Sequence, residues 1–286
     1  MRLRQVLFVA AALLSTGAPA GATTLFGGGG SVLSRVDAQG NVTDVSTSLS
    51  QSVVAMTYDP ADGFLYASPA ALQRTLFRID PATGAVTVVS ASPDHYDFTV
   101  LCYDGGNGLL YGFNNGGGSN GVYWGDHFLV IDPATGEAQL VNGGTLRNCI
   151  SMAYDSASGV LYGINADGNV LYRIDPATGG MVDVNTSPLS RTARTIAYDP
   201  TTDTLFATDA GLNGSTGTWV STGADPVFFR IDPSTGAITD IDTSMTRSIQ
   251  ALAGTPLAVP EPGALALALL ALGATLASPP SHRARG

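Results

Sequence analysis

Short stretches in which apolar and polar residues alternate run through the middle of the chain, from about residue 24 to residue 256. The segment Leu171-Tyr172-Arg173-Ile174 is typical, and such alternation predicts strands that bury one set of side chains and expose the other. Val, Thr, Ile, Tyr and Gly dominate this region, whereas Lys is absent and Glu is rare. This pattern predicts an all-β fold.

Two kinds of tight turn alternate between these stretches. The first kind includes RIDPATG at residues 78–84 and 173–179, VIDPATG at 130–136, RIDPSTG at 230–236 and the degenerate RVDAQG at 35–40. The second kind follows a Tyr-Asp pair, as in YDPADG at 58–63. The Asp carboxylate can accept the amide two residues on, Pro fixes φ at the next position, and Gly supplies a positive φ before the return strand.

The repeat predicts a β-propeller. The Asp of the first kind of turn recurs at positions 37, 80, 132, 175 and 232, at intervals of 43, 52, 43 and 57 residues. Each interval has room for four strands, as a propeller blade requires. The first copy lacks its opening strand, and residues 251–256 match residues 55–60. We therefore expect five four-stranded blades, closed by a C-terminal strand that joins the N-terminal blade.

The IDPATG-type hairpins resemble those of the YVTN-type and quinoprotein-like propellers. This resemblance covers most of residues 23–256, and it implies the fold without implying an activity. The predicted propeller domain is residues 23–257.

The two ends of the chain are expected to be targeting segments, each with a short helix. Residues 1–22 have the Arg-first, apolar-middle, small-residue-last order of a secretory signal peptide. Residues 258–286 contain Val259-Pro260-Glu261-Pro262, an apolar segment at about 263–278 and a basic tail at 279–286. A transmembrane helix with the tail held on the cytoplasmic side fits that order.

This C-terminal arrangement resembles the PEP-CTERM sorting signal. The resemblance implies sorting by an exosortase, a membrane transpeptidase or protease of Gram-negative bacteria that typically make exopolysaccharide. It also implies export by the Sec pathway, a transient anchor in the inner membrane, and a final place on the cell surface or outside the cell.

The charge of the chain excludes one class of function. Residues 23–260 carry 22 acids and nine Arg, which gives a net charge of −13. A surface of this sign repels phosphate backbones, so we do not expect a nucleic-acid-binding protein.

A binding site is expected on the face that carries the variable loops, because the tight turns occupy the other face. Counting seven residues back from each repeat Tyr, or from the equivalent Gly254, places Arg147, Arg191 and Arg247 at the mouth of the axial channel. Three guanidiniums there would attract an anion such as a uronate, unless each pairs with a neighbouring Asp. The aromatic residues Tyr96, Trp124 and Trp219 also fall on this face, either as ligand contacts or as small packed clusters beneath the loops.

Other candidates are weaker. Cys102 and Cys149 are candidate disulfide partners, because both fall near inner strands of consecutive blades and an exported chain meets oxidising conditions. His95 and His127 could meet across loops to hold a metal, but they lack a metal-site spacing. The Arg residues two positions before the hairpin Asp predict structural ion pairs; they are Arg35, Arg78, Arg173 and Arg230.

The sequence favours a non-catalytic protein. It has no HExxH motif and no Lys for a phosphate loop, and nothing indicates a cofactor. We expect the variable face to bind polysaccharide or another protein. The alternative is an extracytoplasmic enzyme, either a glycan lyase or hydrolase or a metal-dependent one, that uses the same face and the plentiful Asp residues.

Overall fold

Twenty strands form five sheets of four antiparallel strands, and two further strands form a small hairpin. The computed structural model describes residues 24–69, 75–91, 98–115, 126–143, 148–165, 167–209, 212–213, 220–221, 226–242, 245 and 249–254. The chain divides into two units after Pro256, and the sheets belong to the first. Both terminal segments predicted from the sequence lie outside the described residues.

Blade I combines both ends of the described chain. Its strands are β1 (Leu25–Gly29), β2 (Val32–Val36), β3 (Val42–Ser46) and β22 (Ala251–Gly254), in the order β22-β1-β2-β3. Blade II is made of β4 (Val53–Tyr58), β5 (Leu65–Pro69), β6 (Thr75–Ile79) and β7 (Val86–Ala91). Blade III is made of β8 (Val100–Asp104), β9 (Leu109–Asn115), β10 (Asp126–Ile131) and β11 (Ala138–Gly143).

The remaining two blades follow the same plan. Blade IV is made of β12 (Cys149–Asp155), β13 (Val160–Asn165), β14 (Leu171–Ile174) and β15 (Met181–Asp183). Blade V is made of β16 (Thr195–Asp199), β17 (Thr204–Thr208), β20 (Phe228–Ile231) and β21 (Ile238–Asp242). Between β17 and β20 lies the hairpin of β18 (Leu212–Asn213) and β19 (Val220–Ser221).

The ring is closed as the sequence predicts. Strand β22 pairs antiparallel with β1, with Leu25 opposite Gly254 and Gly28 opposite Ala251. The inner strands β4, β8, β12, β16 and β22 contact one another in that order, and β22 returns to β4. Five blades around a central axis, closed by the C-terminal strand, therefore confirm the predicted architecture.

The turn chemistry is also confirmed. In the first kind of turn the Asp carboxylate accepts the amide two residues on, as Asp80 does from Ala82 at 2.7 Å. The glycine that ends each of these turns has a positive φ, between 69° and 88°, at positions 40, 84, 136, 179 and 236. In the second kind of turn blade V has Asp203 at φ 50° where blades II, III and IV have Gly. Asp tolerates this left-handed backbone better than most residues.

The expected alternation of buried and exposed residues is wrong for the inner strands. Every residue of β8 and of β16 is buried, while most residues of the outer strands β3 and β21 are exposed or half-buried. The reason is that both faces of a blade pack against neighbouring blades. Five hydrophobic clusters fill the five seams, so burial falls from the axis to the rim rather than from one face to the other.

The inner strands also bond one another across the seams. Their inner edges have no strand partner, so backbone amides there need other acceptors. Hydroxyl side chains of one inner strand accept amides of the next. The pairs are Thr57 Oγ1 with Tyr103 N, Ser151 Oγ with Ile196 N, and Thr195 Oγ1 with Leu252 N, each at 2.9 Å.

The repeated Arg residues contact aromatic rings. The guanidinium of Arg78 lies 4.6 Å from the ring centre of Phe64, and that of Arg230 lies 5.3 Å from the ring centre of Phe206. Arg35 lies over Phe26 in the same way, at 5.8 Å. These contacts support a structural role for Arg35, Arg78 and Arg230 through cation–π interactions.

Candidate functional site

An apolar ring divides the axial channel into two cavities. Its five residues lie two positions before the repeat Tyr, or before Gly254 in blade I; they are Met56, Leu101, Met152, Ile196 and Leu252. All five are buried. The cavity on one side, about 80 Å³ in volume, lies beside the tight turns, and we call it the turn-side cavity. The cavity on the other side, about 20 Å³ in volume, is the loop-side cavity.

Tyrosines from four blades line the turn-side cavity. Each ends the inner strand of its blade or stands next to its end, and the four are Tyr58, Tyr103, Tyr154 and Tyr198. Blade I contributes Gly254 at the fifth position. The sequence shows these residues only as part of a repeated turn, and our sequence analysis did not select them. Their recurrence at the inner end of each blade is the signal that could have found them.

Three of these tyrosines lie close to a carboxylate of the preceding blade. The pairs are Tyr103 with Asp59, Tyr154 with Asp104 and Tyr198 with Asp155, and in each pair the carboxylate raises the pKa of the tyrosine. The Tyr198 hydroxyl donates a hydrogen bond to Asp203 Oδ1 of its own blade at 2.8 Å.

The carboxylates behind the tyrosines are buried and held by their own turns. Asp104 has no exposed surface, and it accepts the Gly106 amide at 2.8 Å, Asn107 Nδ2 at 2.8 Å and the Tyr111 hydroxyl at 3.2 Å. Asp59, Asp155 and Asp199 are held in similar turns and are at most 5% exposed.

The environment keeps the tyrosines neutral. Burial is the largest cause that raises the pKa of Tyr154 to about 12, and the nearby Asp104 carboxylate contributes to the same rise. Burial is also the largest cause of the raised pKa values of Tyr58, Tyr103 and Tyr198, and nearby Asp residues add to each. No Arg lines this cavity within the described part of the chain. The turn-side cavity is therefore an aromatic site in a negative electrostatic environment.

Most of the site residues predicted from the sequence lie outside the described residues. This holds for Arg147, Arg247, Tyr96, Trp124, Trp219, His95 and the motif Val259-Pro260-Glu261-Pro262. His127 lies in β10 and is half-buried. Within the described ranges no group of three or more His, Cys, Asp or Glu residues is placed to hold a metal ion.

Arg191 is engaged by a carboxylate. Its Nε donates to Asp240 Oδ1 and its Nη2 to Asp240 Oδ2, both at 2.6 Å. This two-point ion pair lowers the pKa of Asp240 and raises that of Arg191, chiefly through the hydrogen bonds. Of the two sequence-based alternatives for Arg191, the geometry matches pairing with a neighbouring Asp.

A different arginine is half-buried near the axis. Arg194 occupies the position four residues before the repeat Tyr, where Val54, Thr99, Ile150 and Gln250 line the loop-side cavity. Burial lowers the pKa of Arg194 to about 10. The sequence-based prediction missed Arg194 because the channel mouth was placed seven residues before the repeat Tyr, whereas Arg194 lies four residues before Tyr198.

The two cysteines are buried at one seam. Cys102 in β8 and Cys149 in β12 belong to the hydrophobic cluster between blades III and IV. A bulge between Cys149 and Ser151 shifts the register of β12 there. The two cysteines form no disulfide bond in the structure, and the Cys149 thiol donates to the Ser151 carbonyl at 3.3 Å. The candidate disulfide is therefore not formed in the structure, although the pair shares one cluster.

The architecture defines the class of protein as a five-bladed β-propeller with four strands per blade. Residues 55–198, about half of the chain, match the family described as a repeat of unknown function (DUF6923), and the chain belongs to that family. None of the curated proteins matches the chain. Among the described residues no helix is long and apolar enough to cross a membrane.

Solved structures are similar in fold. A chain in the crystal structure of a nidogen/laminin complex is 11% identical with a TM-score of 0.56, and the match covers 81% of this chain and 98% of that one. TolB from Acinetobacter baumannii is 12% identical with a TM-score of 0.48, over 78% of this chain and 53% of that one. At such identities the first likeness shows the fold alone, and the second carries no argument.

Proposed function

We propose that the protein is an exported, non-catalytic binding or structural protein of the cell surface or extracellular matrix. The N-terminal segment has the order of a signal peptide, and the C-terminal segment resembles the PEP-CTERM sorting signal. Both features point to export followed by processing by an exosortase at the inner membrane. The propeller then acts outside the cytoplasm.

The observation that carries the proposal is the closure of the ring by β22 on β1. A closed propeller has no open sheet edge, and it presents its loops from a rigid scaffold. On the turn face the connections are short and nearly constant in sequence. On the loop face they differ in length between blades, and blade V even inserts the β18–β19 hairpin. Variable loops on a rigid scaffold suit recognition of a ligand that differs from one protein to another.

The proposed ligand is a polysaccharide or another surface protein. The chain has two Trp, at positions 124 and 219, and both occur in loop-face connections together with Tyr96. Aromatic side chains stack on sugar rings and anchor protein partners. Arg147 and Arg247 add positive charge to the same connections in an otherwise acidic protein, which suits an acidic polysaccharide.

Export and processing can be tested on the protein made by its own cells. Mass spectrometry of the protein from the cytoplasmic, membrane and extracellular fractions should find chains that begin near Thr23 and end near Pro260. A chain that keeps both terminal segments and stays in the cytoplasm would contradict the proposal.

Binding can be tested with the same purified protein. We expect retention on the exopolysaccharide of the producing cells, or capture of a surface protein, and loss of either when Trp124 and Trp219 are both changed to Ala. Val182→Ala is the matched control, because Val182 is exposed at the rim of blade IV, away from the axis. Turnover of a glycan that persists in the double variant would favour an extracytoplasmic enzyme instead.

A further inference from the structure

We propose that the turn-side cavity is a binding site for a quaternary ammonium group. This site lies at the opposite end of the channel from the loop face, so it does not depend on the function proposed above. The inference rests on the aromatic lining of the cavity, on the carboxylates behind that lining, and on the absence of a cation among the described lining residues.

The aromatic lining comes from four blades at once. The tyrosines that border the cavity are Tyr58, Tyr103, Tyr154 and Tyr198. The closed propeller holds their backbones in place. Tyr58 and Tyr154 are half-buried and therefore accessible to a ligand. An organic cation is attracted to the faces of such rings, and several rings around one cation form the usual site for a quaternary ammonium ligand.

The carboxylates strengthen this attraction. Asp59, Asp104 and Asp155 of the preceding blades lie close to three of the tyrosines, and the Tyr198 hydroxyl donates to Asp203 Oδ1 at 2.8 Å. A hydroxyl that donates to a carboxylate makes its ring more electron-rich, and the buried negative charges add a field that favours a cation. An anionic ligand would be repelled by the same charges.

The bonding of the carboxylates selects among cations. The oxygens of Asp104 and Asp199 already accept backbone amides and side-chain donors of their own turns. A primary ammonium carries three N–H donors that would have to compete for these acceptors or remain unbonded, which is costly away from water. A quaternary ammonium has no N–H, so π faces and a negative field are sufficient for it.

The cavity is small. The apolar ring that includes Met56 and Met152 forms its floor, and its volume of about 80 Å³ limits a bound ligand to a small group. Blade I has Gly254 in place of a fifth tyrosine, so the circle of four tyrosines around the cavity has a gap at blade I. Methyl groups would contact the floor while the charge stays among the tyrosines.

Calorimetric titration of the full-length protein with choline tests the proposal. We expect saturable binding, at least about tenfold tighter than that of 3,3-dimethylbutan-1-ol, which has the same shape without the charge. Ethanolamine, the primary ammonium counterpart, should also bind at least about tenfold more weakly than choline.

Two variants at position 154 distinguish the contribution of the aromatic face from that of the hydroxyl group. Tyr154→Leu removes the π face and should weaken choline binding about tenfold, whereas Tyr154→Phe keeps the face and should stay within about threefold of the natural protein. Tyr58→Leu is a second variant with the same expected loss, in case Tyr154→Leu does not fold. Circular dichroism and the melting temperature establish which variants are folded.

Three results would overturn the proposal. One is the absence of saturable choline binding by the natural protein. Another is equal affinity for choline and its uncharged isostere, which would mean a merely apolar cavity. The third is an unchanged choline affinity in a folded Tyr58→Leu or Tyr154→Leu variant, which would place the binding elsewhere.

Discussion

The backbone N–H of Leu252 donates a hydrogen bond of 2.9 Å to the hydroxyl group of Thr195. Leu252 lies in the closing strand β22 of blade I, and Thr195 lies in β16 of blade V. The two residues are 57 positions apart in the sequence. This bond joins the last described strand to the blade before it, while the pairing with β1 joins the same strand to the start of the chain. Strand β22 is therefore attached on two sides, to blade V and to β1.

Thr195→Val should destabilise the closed ring. The substitution keeps the shape of the side chain but leaves the buried Leu252 amide without its acceptor, which costs about 1–3 kcal/mol. Urea unfolding followed by circular dichroism measures the loss. Thr239→Val, at an exposed position of β21, is the control and should change stability by less than about 0.5 kcal/mol. Equal stability of the two variants would show that the bond does not contribute to closure.

Gly254→Ala should also destabilise the ring, for a steric reason. A Cβ at this position would lie 2.7 Å from the Tyr198 carbonyl oxygen, and backbone atoms cannot move aside without disturbing β16. We expect a loss of about 1–3 kcal/mol in the free energy of unfolding. Gly105, in the tight turn after β8, is the control: it is exposed, an added Cβ would meet its nearest atom at 3.9 Å, and Gly105→Ala should be tolerated. Similar melting temperatures for both variants would contradict the close packing of β22 against β16.

The hairpin Asp residues should make the protein acid-sensitive. The hydroxyl of Thr178 is the largest cause that lowers the pKa of Asp175, and the hydroxyl of Ser234 is the largest cause for Asp232. A carboxyl group whose pKa is lower in the folded state stabilises the fold above its unfolded pKa, and this contribution is lost as the pH falls through the folded value.

The melting temperature should therefore fall as the pH drops below about 4. Asp175→Asn with Asp232→Asn should reduce the slope of that fall, because Asn keeps an acceptor oxygen but does not titrate. Asp167→Asn is the control, because it removes one charge from an exposed turn that is not of the IDPATG type. An unchanged slope in the double variant would exclude these two carboxylates as a source of acid sensitivity.

The thiols should be unreactive in the native protein. Burial raises the pKa of Cys102, and the neighbouring Asp104 and Cys149 raise it further, so little thiolate forms at neutral pH. Iodoacetamide should label Cys102 and Cys149 only after unfolding in urea, as mass spectrometry of the labelled peptides would show. Rapid labelling of the native protein would contradict the burial of both thiols between blades III and IV. A mass lower by two hydrogens before reduction would instead reveal the disulfide considered from the sequence.

Much of the fold could be predicted because it depends on local chemistry that repeats. Asp, Pro and Gly at fixed positions specify the same tight turn in any context, so the number of turns gave the number of blades. The match between residues 251–256 and 55–60 then identified the closing strand. The predicted alternation of burial was wrong for β8 and β16, because burial on both faces depends on neighbouring blades, which no single strand reveals.

The candidate sites were harder to predict. The role of Arg191 depends on Asp240, which lies 49 residues away and approaches only when β21 packs at the rim of blade V. The partial burial of Arg194 follows from the depth at which β16 enters the propeller, and a count of residues from Tyr198 misplaced that depth by three positions. Contacts between distant residues of this kind are set by the packing of blades.

The sequence by itself determined the five-fold repeat, the turns and the strand that closes the ring, because each of these follows from residue types at short spacing. Only the tertiary structure decided that Tyr103 lies close to Asp59 of the blade before it, and that four tyrosines meet around one cavity. The physical reason is that a repeat specifies each blade separately, whereas the axial cavity exists only where the inner ends of all the blades converge.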